Sequence, residues 1–111
     1  MTSLAEYAGK YTGIAFSRDD AGVLEMRLHT RGGPALWGTS RKSLHCELGD
    51  AFSDVARDPG NRVVILTGTG DSFIAAMDPE ERFEEPGLAE MWIRIHEEGL
   101  ALLNNLLAIP E

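Results

Sequence analysis

Residues 63–78 read Val63-Val64-Ile65-Leu66-Thr67-Gly68-Thr69-Gly70-Asp71-Ser72-Phe73-Ile74-Ala75-Ala76-Met77-Asp78. The four apolar residues at the start of this segment predict a strand buried on both faces, as in a sheet that helices cover. Glycines at positions 68 and 70 predict a loop directly after the strand. Asp78 followed by Pro79 and two glutamates predicts a helix start, because Asp caps a helix and Pro and acidic residues favour its first turn.

The sequence before this segment predicts a hairpin and a helix. Partial alternation of apolar residues over 14–28, interrupted by Asp19-Asp20-Ala21-Gly22, predicts two strands joined by a turn. A break at 31–34 follows, and Thr39 or Ser40 can cap the next helix. That helix is predicted to end near Asp58-Pro59 and has one apolar face, made of Leu44, Leu48, Ala51, Phe52 and Val55.

The sequence after residue 78 predicts a long final helix that opens at Pro86. Its last part is apolar over more than one face, with Leu100, Leu102, Leu103, Leu106, Leu107 and Ile109. Such a helix is expected to be covered by several neighbours. The order of strand, strand, helix, strand and helix predicts an α/β fold in which the sheet is incomplete and covered by helices.

The composition limits the partners of this chain. It has 18 acidic and 10 basic residues, a net charge of −8, and no cluster of Lys and Arg. Nucleic acids and anionic membrane surfaces attract such clusters, so neither partner is expected. The first six residues contain no basic stretch followed by an apolar run, which predicts no signal peptide and a cytoplasmic location.

No cofactor and no metal are predicted from the reactive residues. Cys46 is the single cysteine, and it does not form a zinc site with the scattered His29, His45 and His96, for which structural or solvated roles are expected. Gly68-Thr69-Gly70 follows a strand as dinucleotide loops do, but such a loop needs a glycine where Phe73 stands. These glycines are therefore predicted to form a tight turn.

Residues 63–78 resemble a segment of the crotonase (enoyl-CoA hydratase/isomerase) superfamily. In that family a core strand runs into a loop of the form Thr-Gly-x-x-x-x-Phe-x-x-Gly-x-Asp. The strand near Gly22–Thr30, the Pro-containing loop, the amphipathic helix that follows and the final Leu-Leu-x-Ile-Pro-Glu also match. The resemblance implies that residues 1–111 are a partial domain, the N-terminal part of the ββα spiral fold that precedes the downstream catalytic segments.

The resemblance also implies a chemistry. The superfamily stabilises an enolate-type oxyanion with two backbone N–H donors, and the residue before the Asp of the pattern, here Met77, is implied to supply one of them. The second donor and the acid/base residues are expected beyond Glu111. This chain alone is therefore expected to be inactive. The family's habit implies a homo-oligomer, a trimer or a hexamer.

Two departures from the family pattern point to one branch. Ala76-Met77 stands where the family has Gly-Ala, and Ala35-Leu36-Trp37-Gly38 stands where an Asn-rich stretch is usual. Both add bulk where an acyl-CoA thioester would lie. The Leu-Trp-x-x-Ser pattern and residues 102–107 are similar to the β-diketone hydrolase branch, which uses no CoA and lines its pocket with a Trp.

The resemblance to this branch implies a small-molecule substrate, a β-diketone cleaved by retro-Claisen hydrolysis, that contacts Trp37, Leu36 and Ala75. Three alternatives stay open at this point. The first is an acyl-CoA hydratase or isomerase, the second is a non-catalytic family member that serves as an assembly module, and the third is a role for Trp37 as a buried packing residue.

Overall fold

The computed structural model describes residues 3–38, 40, 43–80 and 87–110, and this part of the chain contains eight helices and strands. In chain order they are α1 (Leu4–Tyr7), β1 (Ile14–Arg18), β2 (Val23–Leu28), β3 (Leu36–Trp37), α2 (Leu44–Ala56), β4 (Val63–Thr67), β5 (Ala76–Met77) and α3 (Leu88–Leu107). Within the described residues, no helix is both long enough and apolar enough to span a bilayer.

The main sheet has the strand order β1-β2-β4. β1 and β2 form the predicted antiparallel hairpin, with Ile14 opposite Leu28, and the turn between them places Gly22 at a φ of 88°. β2 and β4 are parallel, with Val23 opposite Val63. A parallel pair needs a crossover connection, and α2 lies in that connection, as expected for an α/β fold.

The predicted apolar face of α2 is confirmed. Leu44, Leu48, Ala51, Phe52 and Val55 are all buried in one core with Leu24, Met26 and Leu28 of β2. α3 crosses α2 closely at Gly49, where an added Cβ would lie 3.3 Å from the backbone nitrogen of Leu102. The Asn105 side-chain amide donates to the Gly49 carbonyl at 2.8 Å, so this crossing is held by a hydrogen bond as well as by packing.

The helix cap differs from the prediction. The N-cap of α2 is Ser43 rather than Ser40, and Thr39 lies outside the described residues. The Ser43 N–H and Oγ both donate to the Ser40 carbonyl, at 3.1 and 2.6 Å. The helix therefore starts one turn later than predicted. The Ser43 hydroxyl bonds the Ser40 carbonyl and makes no side-chain bond to the helix amides.

The prediction that β4 is buried on both faces is wrong for the structure described here. Val64 and Leu66 pack against the core, whereas Val63 is 53% and Ile65 46% exposed. The strand therefore alternates, with one covered and one open face. α3 is similar: Met91 is buried, but Trp92 and Leu103 are more than half exposed.

The helix starts predicted at Asp78-Pro79 and at Pro86 fall on or beside residues 81–86, which lie outside the described residues. Asp78–Glu80 form a turn, in which the Glu80 N–H donates to Asp78 Oδ1 at 2.9 Å. The last helix is described from Leu88, with Gly87 as its N-cap.

Two buried carboxylates on α2 and just after it anchor the N-terminal segment. The Tyr7 hydroxyl donates to Asp58 at 2.6 Å, and the Tyr11 hydroxyl donates to Asp54 at 2.5 Å. Burial opposes ionisation of Asp58, but the bonds from Tyr7, from the Gly60 N–H and from Arg18 outweigh it, so the pKa of this carboxyl is lowered. Burial and the bond to Asp58 raise the pKa of Tyr7 to about 12.

Tyr7→Phe is expected to lower the free energy of unfolding at pH 7 by about 1–3 kcal/mol, because it removes a donor from a buried carboxylate. A lowered carboxyl pKa gives stability that is present above about pH 4, the unfolded value, and lost as the pH falls through the folded value. The difference between the two proteins should therefore shrink in acid. Urea unfolding at several pH values measures it.

The control is Asp20→Asn, which changes an exposed carboxyl in the β1–β2 turn and should alter stability by less than about 0.5 kcal/mol. Equal stability of Tyr7→Phe and the unaltered chain at pH 7 would show that the Tyr7–Asp58 pair adds nothing.

Candidate functional site

A tight turn at Thr30–Gly33 connects β2 to β3. The Thr30 and Gly33 main chains exchange two hydrogen bonds, at 3.2 and 3.0 Å, and the two central residues, Arg31 and Gly32, have φ values of 51° and 84°. Positive φ at both central positions defines a type I′ turn, which favours Asn or Gly at the first of them. Arg31 is the only non-glycine residue with positive φ in the described part of the chain, so its backbone is strained.

β3 and β5 bring the predicted site residues together. They pair in parallel, with Leu36 opposite Ala76 and Trp37 opposite Met77. The Ala75 N–H donates to the Ala35 carbonyl and the Asp78 N–H to the Trp37 carbonyl, both at 2.8 Å. The two segments that the family resemblance assigned to one site are therefore paired in space through main-chain hydrogen bonds.

A cleft of about 460 Å³ lies beside this pairing. Its walls come from the end of β2, from β3, from the start of α2 and from the turn after β5, and include His29, Arg31, Leu36, Leu44, Glu47 and Asp78. Since Leu36 and Leu44 are apolar and the other four are polar, the cleft suits a small ligand with both kinds of surface.

Arg31 joins the two sides of the cleft. Its Nη2 lies 2.7 Å from Glu80 Oε2, and its guanidinium reaches Asp78 at 3.3 and 3.4 Å. The bond from Arg31 lowers the pKa of Asp78, with a further contribution from the Glu80 N–H. Arg31 is the only cation in the described lining of the cleft, and its charge is already paired with two carboxylates.

Glu47 has a positioning role in the cleft wall. Its carboxylate accepts the N–H groups of Thr12 and Gly13, both at 2.9 Å, and also contacts the Thr12 hydroxyl at 3.2 Å. These bonds tie the chain before β1 to α2, which fixes that side of the cleft.

The four residues predicted for substrate and oxyanion contacts have different environments. The side chain of Leu36 lines the cleft. The half-buried Trp37 packs against the core, and its ring stands edge-on to His45 with 5.7 Å between the ring centroids. Ala75 is exposed, and Met77 is 58% exposed. Substrate contact by Trp37, Leu36 and Ala75, and the amide role of Met77, stay predictions.

Trp37 lies against a polar contact between α2 and α3. His45 Nδ1 is 3.2 Å from Glu98 Oε2, and Arg94 Nη1 bonds both oxygens of Glu98, at 2.9 and 3.0 Å. Burial, with the nearby Glu98 charge, raises the pKa of Cys46 to about 11, so this thiol is protonated at neutral pH. Among the described residues, no group of His, Cys, Asp and Glu is arranged to hold a metal ion.

Of the cleft wall, sequence reasoning predicted only Leu36 as a site residue, and it missed the polar His29 and Arg31 among others. The signal was present in His29-Thr30-Arg31-Gly32-Gly33, because a glycine at the second central position is typical of a type I′ turn. The prediction of a simple break at 31–34 did not include a turn that places His29 and Arg31 in the cleft wall.

No protein-family model and no curated protein matches this chain. Several solved structures do match this chain. A β-diketone hydrolase from the cyanobacterium Anabaena, bound to (S)-3-oxocyclohexyl acetic acid, is 41% identical, covers 94% of this chain and superposes with a TM-score of 0.80. Enoyl-CoA hydratases from Mycobacterium smegmatis and Mycobacterium avium are 22% and 19% identical, cover 87% and 91% of the chain, and have TM-scores of 0.61 and 0.59.

These structural similarities show that the chain shares its fold with part of the enoyl-CoA hydratases. The identity to the β-diketone hydrolase then defines the family: the chain belongs to the crotonase superfamily and corresponds to the N-terminal part of its fold. It spans 40%, 36% and 34% of the lengths of these three proteins.

The packing of Trp37 predicts a structural cost for its removal. Trp37→Ala should lower the free energy of unfolding by about 3 kcal/mol, the lower end for buried aromatic residues, because the ring is only half-buried. Urea unfolding followed by circular dichroism measures this without relying on tryptophan fluorescence.

Trp92→Ala is the matched control, since Trp92 is 59% exposed and its loss should cost less than about 1 kcal/mol. An equally small loss for Trp37→Ala would contradict the packing role and favour a ring that serves a ligand.

Proposed function

We propose that this chain supplies the enolate-stabilising part of a crotonase-type hydrolase that cleaves a C–C bond of a β-diketone. The observation that carries the proposal is the 41% identity, over 94% of the chain, to a β-diketone hydrolase. In this reaction water adds to one carbonyl, the bond to the carbon between the carbonyls breaks, and that carbon leaves as an enolate before it is protonated. The product contains a carboxylic acid and a ketone, the two groups of the ligand bound to that hydrolase.

The Met77 N–H is the donor proposed for the enolate oxygen. Consecutive amides of an extended strand point to opposite edges. The Asp78 N–H donates to the Trp37 carbonyl on β3, which supports a Met77 N–H that faces the other edge of β5. A backbone donor held in this way stabilises developing negative charge without having to reorganise.

The charges of the cleft support a substrate without CoA. Asp78, Glu80 and Glu47 contribute carboxylates, and Arg31 is paired with two of them. The phosphates of CoA would meet like charge here, whereas a neutral diketone would not. The enoyl-CoA hydratases are too distant in sequence to favour their reaction, which is therefore the alternative outcome of the test below.

The test is a chimera in which this chain replaces the matched part of the cyanobacterial hydrolase. The chimera should cleave a β-diketone, and Met77→Pro should lower its kcat by about 10²–10³-fold, the usual effect of losing one oxyanion donor. Proline removes the N–H and is tolerated where the amide is outside the ladder. The isolated 111-residue chain should show no turnover, because the proposal places the acid/base groups in the part of the relative that it does not match.

Met77→Leu is the control, because it changes the side chain and keeps the amide, and its kcat should stay within a few-fold. Equal activity of the Pro and Leu chimeras would exclude the Met77 amide as a donor. Cleavage by the isolated chain would contradict the division of the site, and hydration of an acyl-CoA would support the alternative reaction.

The proposal includes association of this chain with itself or with another polypeptide. Trp92, Leu103 and Leu107 of α3 are 59%, 56% and 81% exposed, and Val63 and Ile65 form an open apolar face on β4. Patches of this kind mark interaction surfaces in soluble proteins.

Sedimentation should therefore give a mass above the 12.1 kDa of one chain as concentration rises. Leu103→Glu should shift the distribution towards monomer, because it places a charge in the patch, and Glu97→Gln on the same helix should not. A compact monomer at high concentration would contradict this part of the proposal.

A further inference from the structure

The type I′ turn sets which ring nitrogen of His29 accepts a hydrogen bond from the main chain. The backbone N–H of Gly32 donates to His29 Nδ1 at 3.1 Å. A backbone amide can only donate, so Nδ1 has to accept and carries no proton in this arrangement. With Nδ1 as the acceptor, Nε2 is the ring nitrogen that can donate.

The other ring nitrogen is available to a ligand. His29 lines the cleft, and Nε2 makes no hydrogen bond to the residues that the structure describes. A neutral imidazole with a defined Nε2–H is a hydrogen-bond donor of fixed direction. The apolar Leu36 and Leu44 stand in the same cleft and would contact the hydrocarbon part of a bound molecule.

The charge of the cleft selects the ligand class. Glu47, Asp78 and Glu80 are acidic, and Arg31 is paired with the last two, so an anionic group would meet repulsion. A ketone oxygen is neutral and accepts hydrogen bonds without this penalty. The groups present therefore suit an uncharged carbonyl compound with an apolar body.

We infer that His29 is a substrate-binding residue that donates from Nε2 to a ketone oxygen of an uncharged diketone in this cleft. The inference rests on the proposed function for the identity of the ligand as a diketone. Binding of a ketone by His29 in this cleft, however, does not require catalytic turnover. His29 binds the carbonyl, and Gly32 positions its ring.

The test uses the 111-residue chain and a cyclohexane β-diketone with two methyl groups between its carbonyls, which lacks the acidic proton between them and so stays uncharged at neutral pH. Long-range proton–nitrogen correlation spectra of the labelled chain should show the His29 proton on Nε2. His29→Asn keeps an acceptor near Nδ1 and loses the distal donor, so the affinity for the diketone should fall about tenfold. His29→Gln keeps a donor near Nε2 and should bind within about threefold of the unaltered chain.

The opposite order, with Asn retaining and Gln losing affinity, would show that His29 acts only through the turn and would overturn the inference. A proton on Nδ1 would do the same, as would the absence of any diketone binding by the unaltered chain. His29-dependent binding together with an inactive chimera would leave the carbonyl site standing and would refute the proposed hydrolysis instead.

Discussion

The parallel pairing of β2 with β4 is the constraint on which the other contacts depend. Because the two strands run the same way, α2 has to cross between them, and its apolar face is buried in the crossing. Thr69 then joins the strand ends, since its Oγ1 donates to the Leu28 carbonyl at 2.8 Å and accepts Arg27 Nη1 at 2.7 Å. The segments that follow β2 and β4 therefore begin next to each other, which allows β3 and β5 to pair.

The cleft forms where these two chains leave the sheet, as is usual at the carboxyl ends of parallel strands. The strained backbone of Arg31 lies at this point, and strain of this kind persists only where its surroundings fix it. The turn that imposes the strain also aims the Gly32 N–H at His29 and brings the guanidinium to Asp78. One turn thus sets which nitrogen of His29 accepts a hydrogen bond and pairs the Arg31 charge with Asp78 in the cleft wall.

Local pattern was enough for the hairpin and for the buried face of α2, because alternation and helical spacing record which side of an element is covered. It was not enough for β4: a continuous apolar run has no alternation, so the exposed positions of Val63 and Ile65 could not be read from it. The cap of α2 was misplaced because several hydroxyl residues precede the helix, and only the turn from Ser40 to Ser43 selects among them. The role inferred for His29 depends on an amide three residues away, which no composition argument reveals.

The position proposed for the Met77 amide depends on main-chain bonds rather than on the Met77 side chain. The Trp37 carbonyl holds the Asp78 N–H, and the Asp78 carboxylate holds Arg31, so β3, β5 and the turn form one connected unit. Leu36 and Trp37 lie on opposite faces of β3: Leu36 lines the cleft, and Trp37 contacts His45 of α2. A larger residue at position 77 than the resembling family has is compatible with this arrangement, since the Met77 side chain is exposed while its main chain pairs with Trp37.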